Sequence, residues 1–262
     1  MPAVAPVIVR GGGDLATGVV WRLRKAGFPV LVLETETPLM VRRMVSCAQA
    51  VYDGRCTVEG MEIRRIASVY EIDPEVVNVL VDPQGNSIYS LRPDILVDAI
   101  MAKRNLGTAR SMAKLTIALG PGFSAPQDVS CVVETQRGHA LGRVITNGAA
   151  VPDTKIPGTV MGYNVERLLR SPADGYLEPL RRIGDSVKKG EVLASVGGQP
   201  VKASIDGVIR GLIHHTVRLS PGMKIGDVDP RNVRSYAFSI SDKALAIAGG
   251  VMEAVSEFVR TA

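Results

Sequence analysis

Residues 10–17 read Arg-Gly-Gly-Gly-Asp-Leu-Ala-Thr and stand between an apolar run and a helical pattern. Gly11, Gly13 and Ala16 fit G-x-G-x-x-A, a permitted form of the dinucleotide-binding turn. Glycines let a phosphate approach the backbone, and a helix start offers N–H groups of partial positive charge. Glu34 ends the next apolar run, at about the spacing expected of an acid that holds a ribose. Asp14 complicates this chemistry. At the helix start its carboxylate caps the same N–H groups that a phosphate would use. Either Asp14 instead holds a sugar hydroxyl, an amine or a metal-bridged group, or the turn is structural only. Both readings stand.

These residues need a strand before them and a helix after them. "PVIVR" predicts a buried strand, and residues 14–26 place Leu15, Val19, Leu23 and Ala26 on one helical face. Gly27 stops that helix, and "VLVLE" predicts the next strand. Strand, helix and strand in about thirty residues make a βαβ unit with parallel strands. Further strands are expected at 61–66, 76–82, 94–100, 115–120 and 129–135, in a sheet of mixed direction because some connections are too short for a helix. In open α/β sheets, ligands gather at the carboxyl ends of strands. Asp98, Lys103, Arg104, Asn105, Glu134, Arg137 and His139 follow or end several of these runs. If the ends converge, they line one cleft with Arg10, Gly11, Gly12, Gly13, Asp14, Thr17 and Glu34. The alternative for each is a solvated loop with local turn chemistry.

The later part of the chain repeats itself. "ADGYLEPLRRIGDSVKKGEVL" at 173–193 lies over "IDGVIRGLIHHTVRLSPGMKI" at 205–225 with a constant offset of 32. Neither copy can bury its apolar face alone, so the two should wrap together. The pattern resembles the biotinyl/lipoyl-type fold, with Gly184-Asp185 to Leu193 as its signature. The midpoint "SVGGQPVKAS" lacks the Met-Lys-Met of carrier members, so no covalent biotin or lipoate is expected. His214 and His215 are adjacent on a strand and point to opposite faces, so they make no metal site by themselves. A final amphipathic helix at 242–260 shares Leu245, Ala248, Met252, Val255 and Val259 on one face. The architecture expected is α/β: a Rossmann-like N-terminal domain (1–169), a biotinyl/lipoyl-like β barrel-sandwich (170–232) and a C-terminal helix (233–262).

Composition narrows the function. Charged residues make up 22% of the chain, which fits a globular protein. No apolar run reaches a membrane span and the N-terminus has no signal-peptide pattern, so a cytoplasmic protein is expected. Cys47, Cys56 and Cys131 are odd in number and widely spaced, so neither a disulfide framework nor a metal-ligand spacing is read. The net charge of +5 is spread along the chain without interleaved aromatics. That points to a small anionic ligand or an acidic partner more than to nucleic acid.

Six segments occur in order: "VRGGGDLATGVVWRLRKAGFPVLVLETETP", "DAIMAKRNLGTARSMA", "IALGPGFSAPQDV", "ETQRGHALGRVI", "PGTVMGYNVERLLRSPADG" and "KASIDGVIRGLI…MKIGDVDPR". Together they resemble the YqeB-like accessory proteins of selenium-dependent molybdenum hydroxylase systems. The resemblance implies a maturation role beside a molybdenum hydroxylase and brings no catalytic residue with it. Combined with the basic groups Arg10, Lys103, Arg104 and Arg137, it suggests that the glycine turn holds a nucleotide or a molybdopterin-type cofactor. Two rivals remain: a stand-alone NAD(P)-dependent oxidoreductase, with Lys103 and His139 as acid–base candidates, and a non-catalytic adaptor with an empty turn. A homo-oligomer through the final helix is compatible with each.

Overall fold

β-branched runs with no polar alternation can be buried on both faces, which is what central parallel strands require. The computed structural model describes residues 5–154 and 156–261 of the chain. Contacts divide it into two units: Met1–Glu36, Ser46–Thr154 and Ile240–Ala262, then Thr37–Val45 and Lys155–Ser239. Residues 156–169 therefore go with the second unit, and the C-terminal helix goes with the first.

In the first unit the chain runs β1 (Val7–Arg10), α1 (Asp14–Lys25), β2 (Val30–Glu34), α2 (Gln49–Asp53), β3 (Arg55–Val58), β4 (Met61–Ile66), β5 (Val77–Val81), α3 (Asn86–Leu91), β6 (Ile95–Asp98), β7 (Leu115–Leu119), β8 (Ser124–Ala125), β9 (Cys131–Val133), β10 (Val144–Ile145) and β11 (Gly148–Ala149). Nine of these strands form one sheet in the order β10-β9-β7-β6-β1-β2-β5-β4-β3, while β8 and β11 pair separately. The pairs from β9 across to β4 are parallel, and the outermost pairs, β9–β10 and β3–β4, are antiparallel. Strands that follow β1 go to one side through β2, whereas β6, β7 and β9 build the other side. The order therefore reverses between β1 and β6, the kind of position at which open α/β sheets take their ligands.

Helix α4 (Asp242–Thr261) returns from beyond the second unit and packs on α1. Its buried side is Ala244, Ile247, Ala248, Gly250, Val251, Ala254 and Val255. The expected face was rotated from this: Val259 is exposed, and Leu245 and Met252 are only half-buried. Gly18 on α1 explains the closeness of the two helices. A Cβ built there would lie 2.8 Å from both the Cβ and the carbonyl oxygen of Ala244. We expect Gly18→Leu to cost about 1–3 kcal/mol or more by forcing α1 and α4 apart, read as a lowered urea midpoint.

The second unit contains β12 (Leu168–Arg170), β13 (Leu177–Pro179), β14 (Ser186–Val187), β15 (Val192–Val196), β16 (Gln199–Lys202), β17 (Gly207–Leu212) and β18 (Lys224–Asp229). The repeat is visible residue by residue. Leu177 and Ile209, Val187 and Leu219, and Leu193 and Ile225 are all buried. Gly175 and Gly207 both take positive φ, as do Gly190 and Gly222. A Cβ at Gly207 would be 2.3 Å from the Asp229 carbonyl oxygen, so the second Asp-Gly turn excludes any larger residue. One equivalence fails, since Leu212 is buried while Leu180 is exposed. Buried ion pairs stiffen β18. Arg167 binds Asp227 at 3.0 and 3.1 Å, and Arg210 and Arg231 approach Asp229 at 3.6 and 2.6 Å. Burial brings the Arg210 guanidinium down to about 10, with Arg42 adding to the shift.

Two fold expectations are corrected. The first unit is not Rossmann-like: it is a large mixed sheet with antiparallel edges, and α2 and α3 are single short turns of five and six residues rather than full crossover helices. The repeats do not close into a biotinyl/lipoyl barrel-sandwich. They form a four-stranded sheet, β12-β18-β17-β14, and a separate three-stranded sheet, β13-β15-β16. Ladders of two and three residues at β14 and β13 are too short to join them, and β12 enters from outside the repeat.

Candidate functional site

The glycine turn is shaped by protein packing at two of its three positions. Gly11 has φ +90°, and its missing Cβ would lie 2.9 Å from the Ala99 carbonyl oxygen. At Gly12 a Cβ would meet the Ala48 nitrogen at 2.9 Å, while the Gly12 carbonyl accepts from that N–H at 2.9 Å. Gly13 differs. It is the extended N-cap of α1 (φ −67°, ψ −179°), and nothing lies within 4 Å of its Cβ position. No side chain caps the helix there, and the N–H groups of Gly13, Leu15 and Ala16 meet no acceptor among the described residues.

Glu34 turns inward. One oxygen accepts the Gly12 N–H at 2.8 Å and the other the Thr35 N–H at 2.7 Å. Burial raises its carboxyl above the ordinary range, while these bonds pull it back. Thr17 is equally occupied: its hydroxyl donates to the Gly13 carbonyl at 2.9 Å and accepts from the Cys47 N–H at 2.9 Å. Both residues hold the turn's shape.

Buried polar groups join the carboxyl ends of β1 and β6. Arg10 and Asp98 are register partners at the ends of the two strands, and both are buried. Thr108 joins them: it accepts from Arg10 Nη1 at 2.5 Å and donates to Asp98 Oδ2 at 2.5 Å. The direct Arg10–Asp98 separation is 3.9 Å. Burial pushes the Asp98 carboxyl up, against the pull of Thr108, the Ile100 N–H and Arg10. Asn105 positions Thr108, accepting the Gly107 and Thr108 N–H groups at 2.8 and 2.9 Å and donating to the Thr108 carbonyl at 2.8 Å. It organises this loop.

The loops after β6, β7 and β9 converge. A Cβ at Gly122 (φ +110°) would sit 2.6 Å from the Arg104 nitrogen, and one at Gly120 would sit 2.5 Å from the Thr135 hydroxyl. Glu134 is buried and anchors its own loop, accepting from Thr135 and Gln136 N–H at 2.7 Å each and from Val151 N–H at 2.8 Å. Arg137 forms a two-pronged pair with Asp242 on α4, both contacts at 2.8 Å. Lys103 is exposed with a left-handed backbone, and His139 is exposed in a turn.

Lys243, beside Asp242, was not among the residues singled out in the sequence. It is half-buried and makes no hydrogen bond or close ion pair among the described residues. Burial lowers its ammonium from the usual 10.5, Lys103 and Arg137 lower it further, and Asp14 and Glu134 partly offset them. These influences place Asp14, Lys103, Glu134, Arg137 and Lys243 in one electrostatic neighbourhood. The only sequence clue was a lysine in the first turn of a helix, where cations are disfavoured by the helix dipole.

Other features of the chain do not compete with this neighbourhood. A cavity of about 590 Å³ lies under the β3–β4 hairpin, three strands from β1. It mixes Arg55, Arg64 and Arg65 with Glu62 and Asp73, so its charge favours no one ligand sign. Burial raises the Cys47 thiol to about 12 and those of Cys56 and Cys131 to about 11, so all three stay protonated at neutral pH. Among the described residues, no group of three or more His, Cys, Asp or Glu could hold a metal ion, and no helix is long and apolar enough to cross a membrane.

The chain is 46% identical over 253 residues to "Uncharacterized protein YqeB" of Escherichia coli K12. This chain is YqeB-like. The YqeB likeness takes in 95% of this chain but 47% of the relative, so the chain spans about half the length of the curated protein it matches. No protein-family model matches it. Among solved structures, an aspartoacylase family protein from Mesorhizobium loti aligns with 86% of this YqeB-like chain and 85% of its own, at 14% identity and a TM-score of 0.29. A succinylglutamate desuccinylase/aspartoacylase from Rhodobacter sphaeroides covers 86% and 85%, at 14% identity and a TM-score of 0.27. Likeness at that level carries no inference about chemistry.

Proposed function

We propose that the chain is an accessory factor in the maturation of a molybdenum hydroxylase, and that it holds a phosphate-bearing cofactor at the start of α1. The ligand class is a nucleotide or a molybdopterin-type cofactor. One observation carries the binding part of this reading: unpartnered N–H groups at the start of α1 stand in the same neighbourhood as Lys243 and Lys103. Such N–H groups and lysines suit a phosphate or pyrophosphate. The hydroxylase context rests on the six ordered motifs. The selenium part of that context gains no support from the three protonated thiols, which are poor carriers of a persulfide or perselenide.

A stand-alone NAD(P)-dependent oxidoreductase is less well supported. Glu34, the acid placed to hold a ribose, directs both oxygens to backbone N–H groups. Calorimetry at low salt tests the binding reading. Pyrophosphate should bind tighter than about 1 mM, and Lys103→Glu should weaken it by about tenfold or more. The reading fails if pyrophosphate, nucleotides and the molybdenum cofactor all leave the calorimeter trace flat.

A further inference from the structure

We propose that the cavity at the β3–β4 hairpin binds a small zwitterion, an α-amino acid held by both its carboxylate and its ammonium group. The two strands pair with Arg55 opposite Arg64 and Thr57 opposite Glu62. Alternation along each strand then puts Arg55, Glu62 and Arg64 on one face of the sheet. All three line the same cavity of about 590 Å³, a volume within the range of small-molecule sites. Like charges directly opposite across a ladder cost stability, and Arg55 and Glu62 stand at the diagonal spacing of about 7–8 Å. Among the described residues, the side chains of Arg55 and Glu62 make no hydrogen bond or ion pair with each other or with any other group.

The rest of the lining is already tied down. Asn78, the register partner of Arg64 on β5, is fully buried. It accepts from the Asp73 N–H at 3.2 Å and donates to the Asp73 and Val76 carbonyls at 2.8 and 3.2 Å. Asp73 and Val76 are thereby fixed in the cavity wall. Arg64 donates from Nη2 to the Glu71 carbonyl at 2.7 Å and lies 3.9 Å from the Asp73 carboxylate. Its Nη1 meets no acceptor among the described residues. Arg65, the remaining cation, donates to the Val51 carbonyl at 3.0 Å.

The charges decide the ligand. Arg55 and Arg64 share the lining with Glu62 and Asp73. An anion alone meets two carboxylates there, and a cation alone meets two guanidinium groups. A molecule that carries both signs pairs with each. Its carboxylate bridges Arg55 and Nη1 of Arg64, since guanidinium N–H groups suit carboxylate oxygens. Its ammonium group takes Glu62. The strand β4 is three strands from β1, so this site does not depend on the anion reading at α1.

Saturation-transfer difference NMR on the whole chain, with an equimolar mixture of the protein amino acids, tests the proposal. At least one amino acid should show transfer, with a Kd of about 1 mM or tighter. Its N-acetyl form keeps only the negative charge and its methyl ester only the positive one, so each should bind about tenfold more weakly or worse. Arg55→Ala and Glu62→Gln change exposed side chains and should each weaken the amino acid by about tenfold with circular dichroism unchanged. Glu62→Gln should not weaken the N-acetyl form, which a merely structural loss would. Transfer from no amino acid, equal affinity for the N-acetyl form or the ester, or full affinity in Arg55→Ala overturns the proposal. Displacement by pyrophosphate overturns it too, because an anion alone has no favoured place beside the two carboxylates.

Discussion

Asp98→Ala is expected to destabilise the first unit by about 3–5 kcal/mol, because it strands a buried guanidinium. Arg10 is 4% exposed and would keep only Thr108 and a long contact of 3.4 Å to the Pro83 carbonyl. Asp98→Asn should cost less, since an amide oxygen can still accept from Thr108. The pair is not a net stabiliser for that reason. Burial raises the Asp98 carboxyl, so the fold favours its protonated form. Its contribution is therefore greatest below its ordinary value of 3.8 and declines as pH rises through the raised value. It follows that replacing both partners, Arg10→Met with Asp98→Leu, should cost much less than Asp98→Ala alone. Urea midpoints for the single and double variants give the result. A double variant as unstable as Asp98→Ala would show that the pair does more than fill space between the strand ends.

Gly13→Asp should move stability and binding in opposite directions. Gly13 caps α1 in an extended conformation with open space around its Cβ position, and it lacks a side-chain cap. Aspartate is a favoured cap, so the helix should gain a few tenths of a kcal/mol. The new carboxylate would occupy the N–H groups proposed for phosphate and repel an anion. Pyrophosphate affinity should fall by tenfold or more, about 1.4 kcal/mol or above. Gly13→Ser separates the two causes, since it caps without adding charge. Undiminished affinity in Gly13→Asp would place the anion elsewhere on the protein. Gly11 and Gly12 offer no such probe, because their Cβ positions collide with backbone.

The strands of the first unit were legible because β-branched runs and their punctuation are local. The positions expected at 61–66, 76–82, 94–100, 115–120 and 129–135 hold β4, β5, β6, β7 and β9. The offset of 32 was equally plain, and most paired residues share their burial. How the copies close was not legible, since strand length and the entry of β12 depend on partners outside the repeat. At the site, residue type was readable and direction was not. Glu34 and Thr17 stood at the right spacing for a ligand, yet their atoms are bonded back to the turn. Asn105, read as a cleft residue, organises Thr108 through bonds the sequence does not announce. Lys243 stayed hidden because the charges that define it lie more than one hundred residues earlier in the chain.

Helix α4 is encoded after the whole second unit, yet it closes the first. Chains fold from the N-terminal side as they emerge from the ribosome. Here the nine-stranded sheet must wait, with one flank bare, until residues 242–261 have been made. The neighbourhood around Asp14 is therefore assembled only after the second unit is already available to fold.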